Sequence, residues 1–293
     1  MSSRSNRRRK PKGTSGSVSG AAAKSDAANT ARIAAAFWRR KRLREEFHIA
    51  LPVAVALERF AEPEFIDLLR LTKLANSLLF LLGAVVDADQ QDDSSSRRRR
   101  ITGGLLIGAM SCETLRVAQE VVAHSRFQDA GTSLRRVLDH PLTSSVRGKY
   151  LARARDKAAF HADKAVMRDG LAGLKVSVAV LEHVSGFNTL NTYYPTADIL
   201  AYLSILGDDL PNDEEIADFV STVESRVQRL QPEDDEDPFD NAIRRAVEVT
   251  VQISGALCVA ISELTVRVHG EIGGVVTEGP PRQRVDASRP DDE

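Results

Sequence analysis

Apolar residues recur along most of this chain at the three- and four-residue spacing of an amphipathic helix. The clearest run opens at Glu62-Pro63-Glu64, where two acids and a proline favour a first helical turn, and leucines keep the spacing to about Val86. The same spacing predicts further helices at about 30–50, from Leu51-Pro52 to 61, and at 101–127, 134–138, 146–167, 197–206, 212–230 and 239–269, the last capped by Gly270. Residues 171–184 mix β-branched residues with helical spacing, so helix and strand both stay open there.

Polar, low-complexity segments separate these helices. Residues 87–100 read DADQQDDSSSRRRR and predict a loop, as do residues 188–195, while residues 232–238 predict an acidic linker. The two ends of the chain, 1–28 and 271–293, hold few large apolar side chains. We expect both ends to be disordered, because little burial would offset the entropy of ordering them.

The order of these elements predicts the fold class. The sequence shows no internal repeat and no alternation of strand and helix patterns, which favours an all-α fold, most simply an antiparallel helical bundle. A disordered basic N-terminal tail (1–28) and a polar C-terminal tail (271–293) flank it. Between them we expect a helical leader at 29–61, a helical bundle at 62–186, and C-terminal helices at 187–270 that pack on the bundle.

Charge is unevenly distributed along the chain. The formal net charge of the 293 residues is −1, which gives no overall reason to bind nucleic acid. Residues 1–44, however, carry 13 basic residues and one acid, whereas residues 207–240 carry 13 acids and two arginines. Local charge therefore matters more here than the net value.

Several classes of site and location are not indicated. Cys112 and Cys258 stand apart from each other and from histidine, so we expect buried cysteines, with no disulfide and no zinc site. No glycine-rich phosphate loop or metal-ligand spacing occurs, so we expect no cofactor and no metal. The most apolar window, 78–86, is about half of the ~20 residues that a membrane helix needs, and no secretion signal is visible. These features predict a cytoplasmic protein without a membrane partner.

The strongest candidate for chemistry is the segment RDKAAFH, which runs from Arg155 to His161. A guanidinium matches phosphate oxygens bidentately, and an imidazole titrates near neutral pH. On an ideal α-helix, six residues give about 9 Å of rise and about 240° of rotation, so the two side chains would not stack. Either Arg155 reaches along the helix axis, or a twofold dimer brings such a pair from each chain to one cleft.

This segment resembles the Arg-x4–6-His motif of HEPN domains, helical bundles in which a polar residue, here Asp156, commonly follows the arginine. Arg42 with His48 and Arg135 with His140 fit the same spacing but lack that polar residue. Many members of that family are dimeric, metal-independent ribonucleases, so the resemblance implies cleavage of RNA by transesterification, while other members only bind nucleotides or partner proteins. The resemblance assigns His161 as general acid or base, Arg155 to phosphate charge and Asp156 to orienting one of them.

Other residues are expected to assist this site. Arg97, Arg98, Arg99 and Arg100 are candidates for contacting the RNA backbone, and Glu113 and Asp163 are candidate supporting carboxylates. The sequence thus favours an HEPN-like endoribonuclease or RNA-binding protein, with a toxin or phage-defence setting suggested by the resemblance. The alternative is a non-catalytic helical protein whose motif helix contributes to a dimer interface.

Overall fold

The structure is a computed structural model that describes residues 48–50, 53–89, 94–159, 164–173, 195–206, 210–223, 225, 227, 230, 238–272 and 275–277. Nine α-helices occur in this part of the chain: α1 (Val53–Arg59), α2 (Glu62–Asp89), α3 (Ser94–Ala123), α4 (Thr132–Asp139), α5 (Pro141–Val146), α6 (Lys164–Gly173), α7 (Pro195–Ile205), α8 (Asp213–Val223) and α9 (Pro238–Glu271). The all-α prediction is therefore confirmed.

The chain divides into two compact units, one formed by residues 1–59 with 266–293 and the other by residues 60–265. In the first unit, β1 (His48–Ala50) pairs antiparallel with β2 (Val275–Thr277), with Ile49 opposite Val276. The expected helix over 30–50 is wrong at its last three residues, and the C-terminal tail is not disordered at β2. β-branched residues suit a strand, but a pairing across more than 200 residues leaves no local signal.

In the second unit, α2 and α3 form an antiparallel hairpin. Asp67, near the start of α2, contacts His124 just after the end of α3, and a Cβ added to Gly103 would meet Val85 near the other end of the hairpin. Leu71, Leu78 and Val85 bury one face of α2. The candidate site lies against α3 of this hairpin.

Both helices of the hairpin exceed their predicted bounds. α2 ends at Asp89 and α3 begins at Ser94, so the loop expected over 87–100 is wrong for most of its length. Arginine is a good helix former, and the four arginines at 97–100 extend the helix instead of interrupting it. At the other end, α3 stops at Ala123 and a short 3₁₀ turn, Ser125–Phe127, follows.

The centre of the second unit is α9, in which every residue from Ala246 to Cys258 is buried. Its buried Glu248 accepts a hydrogen bond from the backbone N–H of Leu230 (2.7 Å), and Gln252 accepts one from the Ser225 hydroxyl (2.6 Å). These bonds engage the chain after α8, which ends at Val223 and not near residue 230 as expected. Buried polar groups of α9 satisfy backbone and side-chain donors there.

Two helices are long and apolar enough, by composition alone, to cross a membrane. They are Glu62–Asp87 within α2, whose apolar stretch is 28% buried, and Asn241–Glu271 within α9, whose apolar stretch is 78% buried. The high burial of α9 is that of a core helix. The cytoplasmic location stays a prediction.

The helix expected over 146–167 has a different form. α5 begins at Pro141, two π-helical turns follow at Arg147–Leu151 and Ala154–Ala159, and α6 begins at Lys164. α6 extends to Gly173, so the first three residues of the stretch 171–184, for which helix and strand were both open, are helical. The rest of that stretch lies outside the described residues. The predictions for 1–28, for 188–194 and for most of 232–238 lie outside them as well, and Pro195, expected in a loop, begins α7.

Candidate functional site

Arg155 lies in the second π-helical turn, packed against α3. Leu151 and Ala154 are fully buried on the inner side of this segment, which leaves Arg155 half-buried and Asp156 exposed. A Cβ added to Gly108 of α3 would lie 3.4 Å from the Ala154 Cβ, so a glycine here permits the close approach. π turns are frequent at functional sites, and this one replaces the ideal α-helix on which the 240° separation rested.

Two carboxylates hold the Arg155 guanidinium. Its Nε donates to Asp156 Oδ1 at 2.6 Å, and its Nη1 lies 3.9 Å from Glu113 Oε2 of α3. The hydrogen bond to Asp156 is the main reason that the pKa of Arg155 is raised. A guanidinium has five N–H donors, so one bond at Nε leaves donors for a ligand.

Glu113 also joins Arg155 to a chain of ion pairs that runs along α3 to α2. Its pKa is lowered, chiefly by hydrogen bonds from Arg116. The members, in order of contact from the Arg155 end, are Asp156, Arg155, Glu113, Arg116, Glu120, Arg70, Asp67 and His124. Because charges alternate along it, the chain fixes the position of Arg155 without creating a large positive patch.

Arg155 also lines a cavity of about 410 Å³ between α3, the α4–α5 corner and the first π turn. Its polar lining consists of Arg147, Arg155, Thr143, Ser144, Gln119 and the thiol of Cys112, with Leu115 and Leu138 among its apolar walls. Burial raises the pKa of Cys112, and the nearby Arg155 and Arg147 partly oppose this effect. Cavities of this size accept small ligands, and two arginines with two hydroxyls suit an anion.

The structure brings together only part of the set chosen from the sequence. Arg155, Asp156 and Glu113 meet, whereas His161 and Asp163 lie outside the described residues. The four arginines at 97–100 occupy the first two turns of α3, where Arg99 is exposed and Arg100 half-buried. Fourteen residues of helix separate Arg99 from Glu113, which is about 20 Å along the axis, so these arginines do not share the cavity with Arg155.

The Arg135 and His140 pair, which fits the same spacing, has structural roles. Arg135 Nη2 donates to the Val122 carbonyl at 2.8 Å, and His140 Nδ1 accepts from the Leu142 N–H at 3.2 Å, capping α5. The His140 ring also packs edge-on against Phe219 of α8. This pair anchors the α4–α5 corner beside the cavity.

Sequence reasoning missed five polar cavity residues, namely Arg147, Thr143, Ser144, Gln119 and Cys112. One signal was available for two of them. Thr143 and Arg147 are four residues apart, a spacing that places both on one side of the helical segment leading to Arg155. The contribution of α3 has no such local signal.

Within the described ranges, no group of three or more His, Cys, Asp or Glu side chains is placed to hold a metal ion.

Comparison with family profiles, with curated proteins and with solved structures finds no match to this chain. The resemblance to HEPN domains therefore stays a prediction carried by the RDKAAFH segment.

Proposed function

We propose that this protein binds RNA, with Arg155 and Arg147 contacting a phosphate in the cavity, and that with His161 it cleaves RNA without a metal ion. The observation that carries the proposal is that both arginines line one cavity together with two hydroxyl side chains. Guanidinium groups are the preferred partners of phosphate oxygens in proteins. Cleavage, unlike binding, also needs a group that transfers a proton. The HEPN-like segment supplies one, the imidazole of His161.

The proposed reaction is transesterification within the RNA chain. The 2′-oxygen attacks the adjacent phosphorus, the bond to the 5′-oxygen breaks, and a 2′,3′-cyclic phosphate and a 5′-hydroxyl result. His161 would take the proton of the 2′-hydroxyl or give one to the leaving oxygen. Arg155, held by Asp156 and Glu113, would stabilise the charge that develops on the phosphate oxygens.

Cleavage is tested with the full chain, a 5′-labelled single-stranded RNA and EDTA. We expect cleavage by the wild type and its loss in Arg155→Ala and in His161→Ala. Arg153→Ala is the matched control, because Arg153 is exposed on the same segment and does not line the cavity. Equal cleavage by all variants would show that the activity comes from another site or a contaminant.

A second candidate function is a non-catalytic, self-associating helical protein, and the observation that favours it is the outer face of α2. Exposed positions 66, 69, 73, 76 and 80 follow the alternating three- and four-residue spacing of a coiled coil. Phe80 is 78% exposed, and Ile66, Leu69 and Leu79 are about half exposed. Reversing this row about its midpoint, Lys73, places Ile66 opposite Phe80, so a twofold pairing with a second copy would join these two apolar side chains.

A further inference from the structure

The cavity contains a buried hydroxyl that has no hydrogen-bond partner. Thr143 is 1% exposed, it lines the cavity, and its Oγ1 meets no donor or acceptor among the described residues. Buried polar groups in proteins nearly always have partners, so such an exception calls for a specific explanation.

The backbone geometry explains why Thr143 has no internal partner. The other two buried threonines of the described chain, Thr114 and Thr250, bond the carbonyl four residues earlier in their own helix. For Thr143 that carbonyl belongs to Asp139, the last residue of α4. His140 between them is extended (φ −64°, ψ 133°), so the carbonyl ladder is broken directly beneath Thr143.

Arg147 follows Thr143 by four residues, and the two are joined by the bond from the Arg147 N–H to the Thr143 carbonyl. Side chains at this spacing lie on the same side of a helical segment, and both line the cavity. Ser144 and Arg155 line it too. Two cations and a threonine whose buried hydroxyl has no partner therefore line one space.

We infer that Thr143 and Arg147 form a phosphate subsite in this cavity, beside Arg155. The ligand is a phosphate group whose oxygens accept from the Thr143 hydroxyl and from the Arg147 guanidinium. The group comes either from the 5′ end of an RNA or from an internal phosphodiester. The inference rests on the proposed function because it uses the same cavity, but phosphate binding can be measured without RNA.

The first test uses inorganic phosphate as the probe and the full chain, with thermal shift and calorimetry as readouts. We expect phosphate to stabilise the wild type, and its affinity to fall at least about tenfold in Thr143→Val and in Arg147→Gln. Arg153→Gln should bind as the wild type does. Thr143→Val keeps the shape of the side chain, and without phosphate it should be at least as stable as the wild type, because it removes an unpaired buried group.

Undiminished phosphate binding by Thr143→Val and Arg147→Gln would overturn the subsite, as would a Thr143→Val protein that loses stability without phosphate. A second arm compares one oligoribonucleotide with a 5′-phosphate and with a 5′-hydroxyl. A preference for the 5′-phosphate that disappears in Thr143→Val identifies the terminal group, and equal weakening of both RNAs identifies an internal phosphodiester. If RNA binding needs Arg155 but not Thr143, only the subsite is refuted. If the protein binds phosphate but not RNA, only the proposed function is refuted.

Discussion

Arg155 and Glu113 face each other across the boundary between the second π turn and α3, with 3.9 Å between Arg155 Nη1 and Glu113 Oε2. This distance is that of an ion pair without a direct hydrogen bond. Asp156 binds the same guanidinium at Nε from the other side. An RNA phosphate that contacts Arg155 must therefore act against two carboxylates.

The pairing with Glu113 predicts that RNA binding is weakened by this carboxylate. Glu113→Gln removes a negative charge beside the arginine that we propose contacts phosphate, so RNA affinity at low salt should rise about two- to fivefold. Equilibrium fluorescence anisotropy with a labelled single-stranded RNA measures this change. Glu120→Gln, in the same ion-pair chain but not against Arg155, should stay within about twofold. Weaker binding by Glu113→Gln would contradict the account.

Asp67 predicts a specific loss of stability in acid. Its hydrogen bond with His124 is the main reason that its pKa lies below the ordinary value of 3.8, and Arg70 adds to the effect. A carboxyl whose pKa is lowered by folding stabilises the folded state above its unfolded pKa, and this contribution is lost as the pH falls through the folded pKa. In Asp67→Asn, the free energy of unfolding should therefore fall less steeply as the pH drops below 4.

Urea unfolding at several pH values measures that slope. The control is Asp87→Asn, because Asp87 is an exposed residue of the same helix. An acid limb equally steep in Asp67→Asn and the wild type would refute the role of the Asp67 and His124 contact.

Gly104 predicts a packing requirement where α3 meets α7 and α9. An added Cβ would lie 2.6 Å from Tyr202 Oη and 2.7 Å from Val247 Cγ2, and Tyr202 is fixed by its bond to the Ile101 carbonyl. Gly104→Ala should therefore destabilise the fold by roughly 1–3 kcal/mol. Gly83→Ala is the matched control, since nothing lies within 4 Å of its Cβ position, and it should stabilise α2 by about 0.5–1 kcal/mol. Chemical denaturation reports both, and equal stabilities would contradict this packing.

These contacts also explain which parts of the fold could be predicted from the sequence. The helical spacing of Leu71, Leu78 and Leu82 repeats through α2, so the helix was predicted with its start correct. The π turns around Arg155 were not predictable in this way, because they depend on how Leu151 and Ala154 pack against α3. The pairing of β1 with β2 was not predictable either, because the two strands lie more than 200 residues apart in the sequence.

The candidate site was predictable to a smaller extent. Arg155, Asp156 and Glu113 were chosen from residue type and position, and the structure places them in contact. The cavity itself comes from α3, the α4–α5 corner and the π turns, which are distant in sequence. The absence of a partner for Thr143 follows from the extended backbone at His140, and no periodicity in the sequence reports that conformation.

If the second candidate function holds, we expect the protein to self-associate through the outer face of α2. Phe80→Glu places a charge at the most exposed apolar side chain of that face, so a dimer should weaken at least about tenfold. Sedimentation velocity across a concentration series measures the dimer. Leu171→Glu, at an exposed apolar residue of α6, should leave it unchanged. A wild type that is monomeric at every concentration, or that sediments only with lipid vesicles, would rule out this pairing.

The most direct test of the central claim is equilibrium binding of a labelled single-stranded RNA, in EDTA, to the wild type, to the double variant Arg147→Ala with Arg155→Ala, and to Arg153→Ala. The account predicts that the double variant loses at least about tenfold in affinity and shows a shallower salt dependence, because two phosphate contacts are removed. Arg153→Ala should stay within about twofold of the wild type. Equal weakening by Arg153→Ala and the double variant, or no weakening by either, would contradict the claim that this cavity is the RNA site.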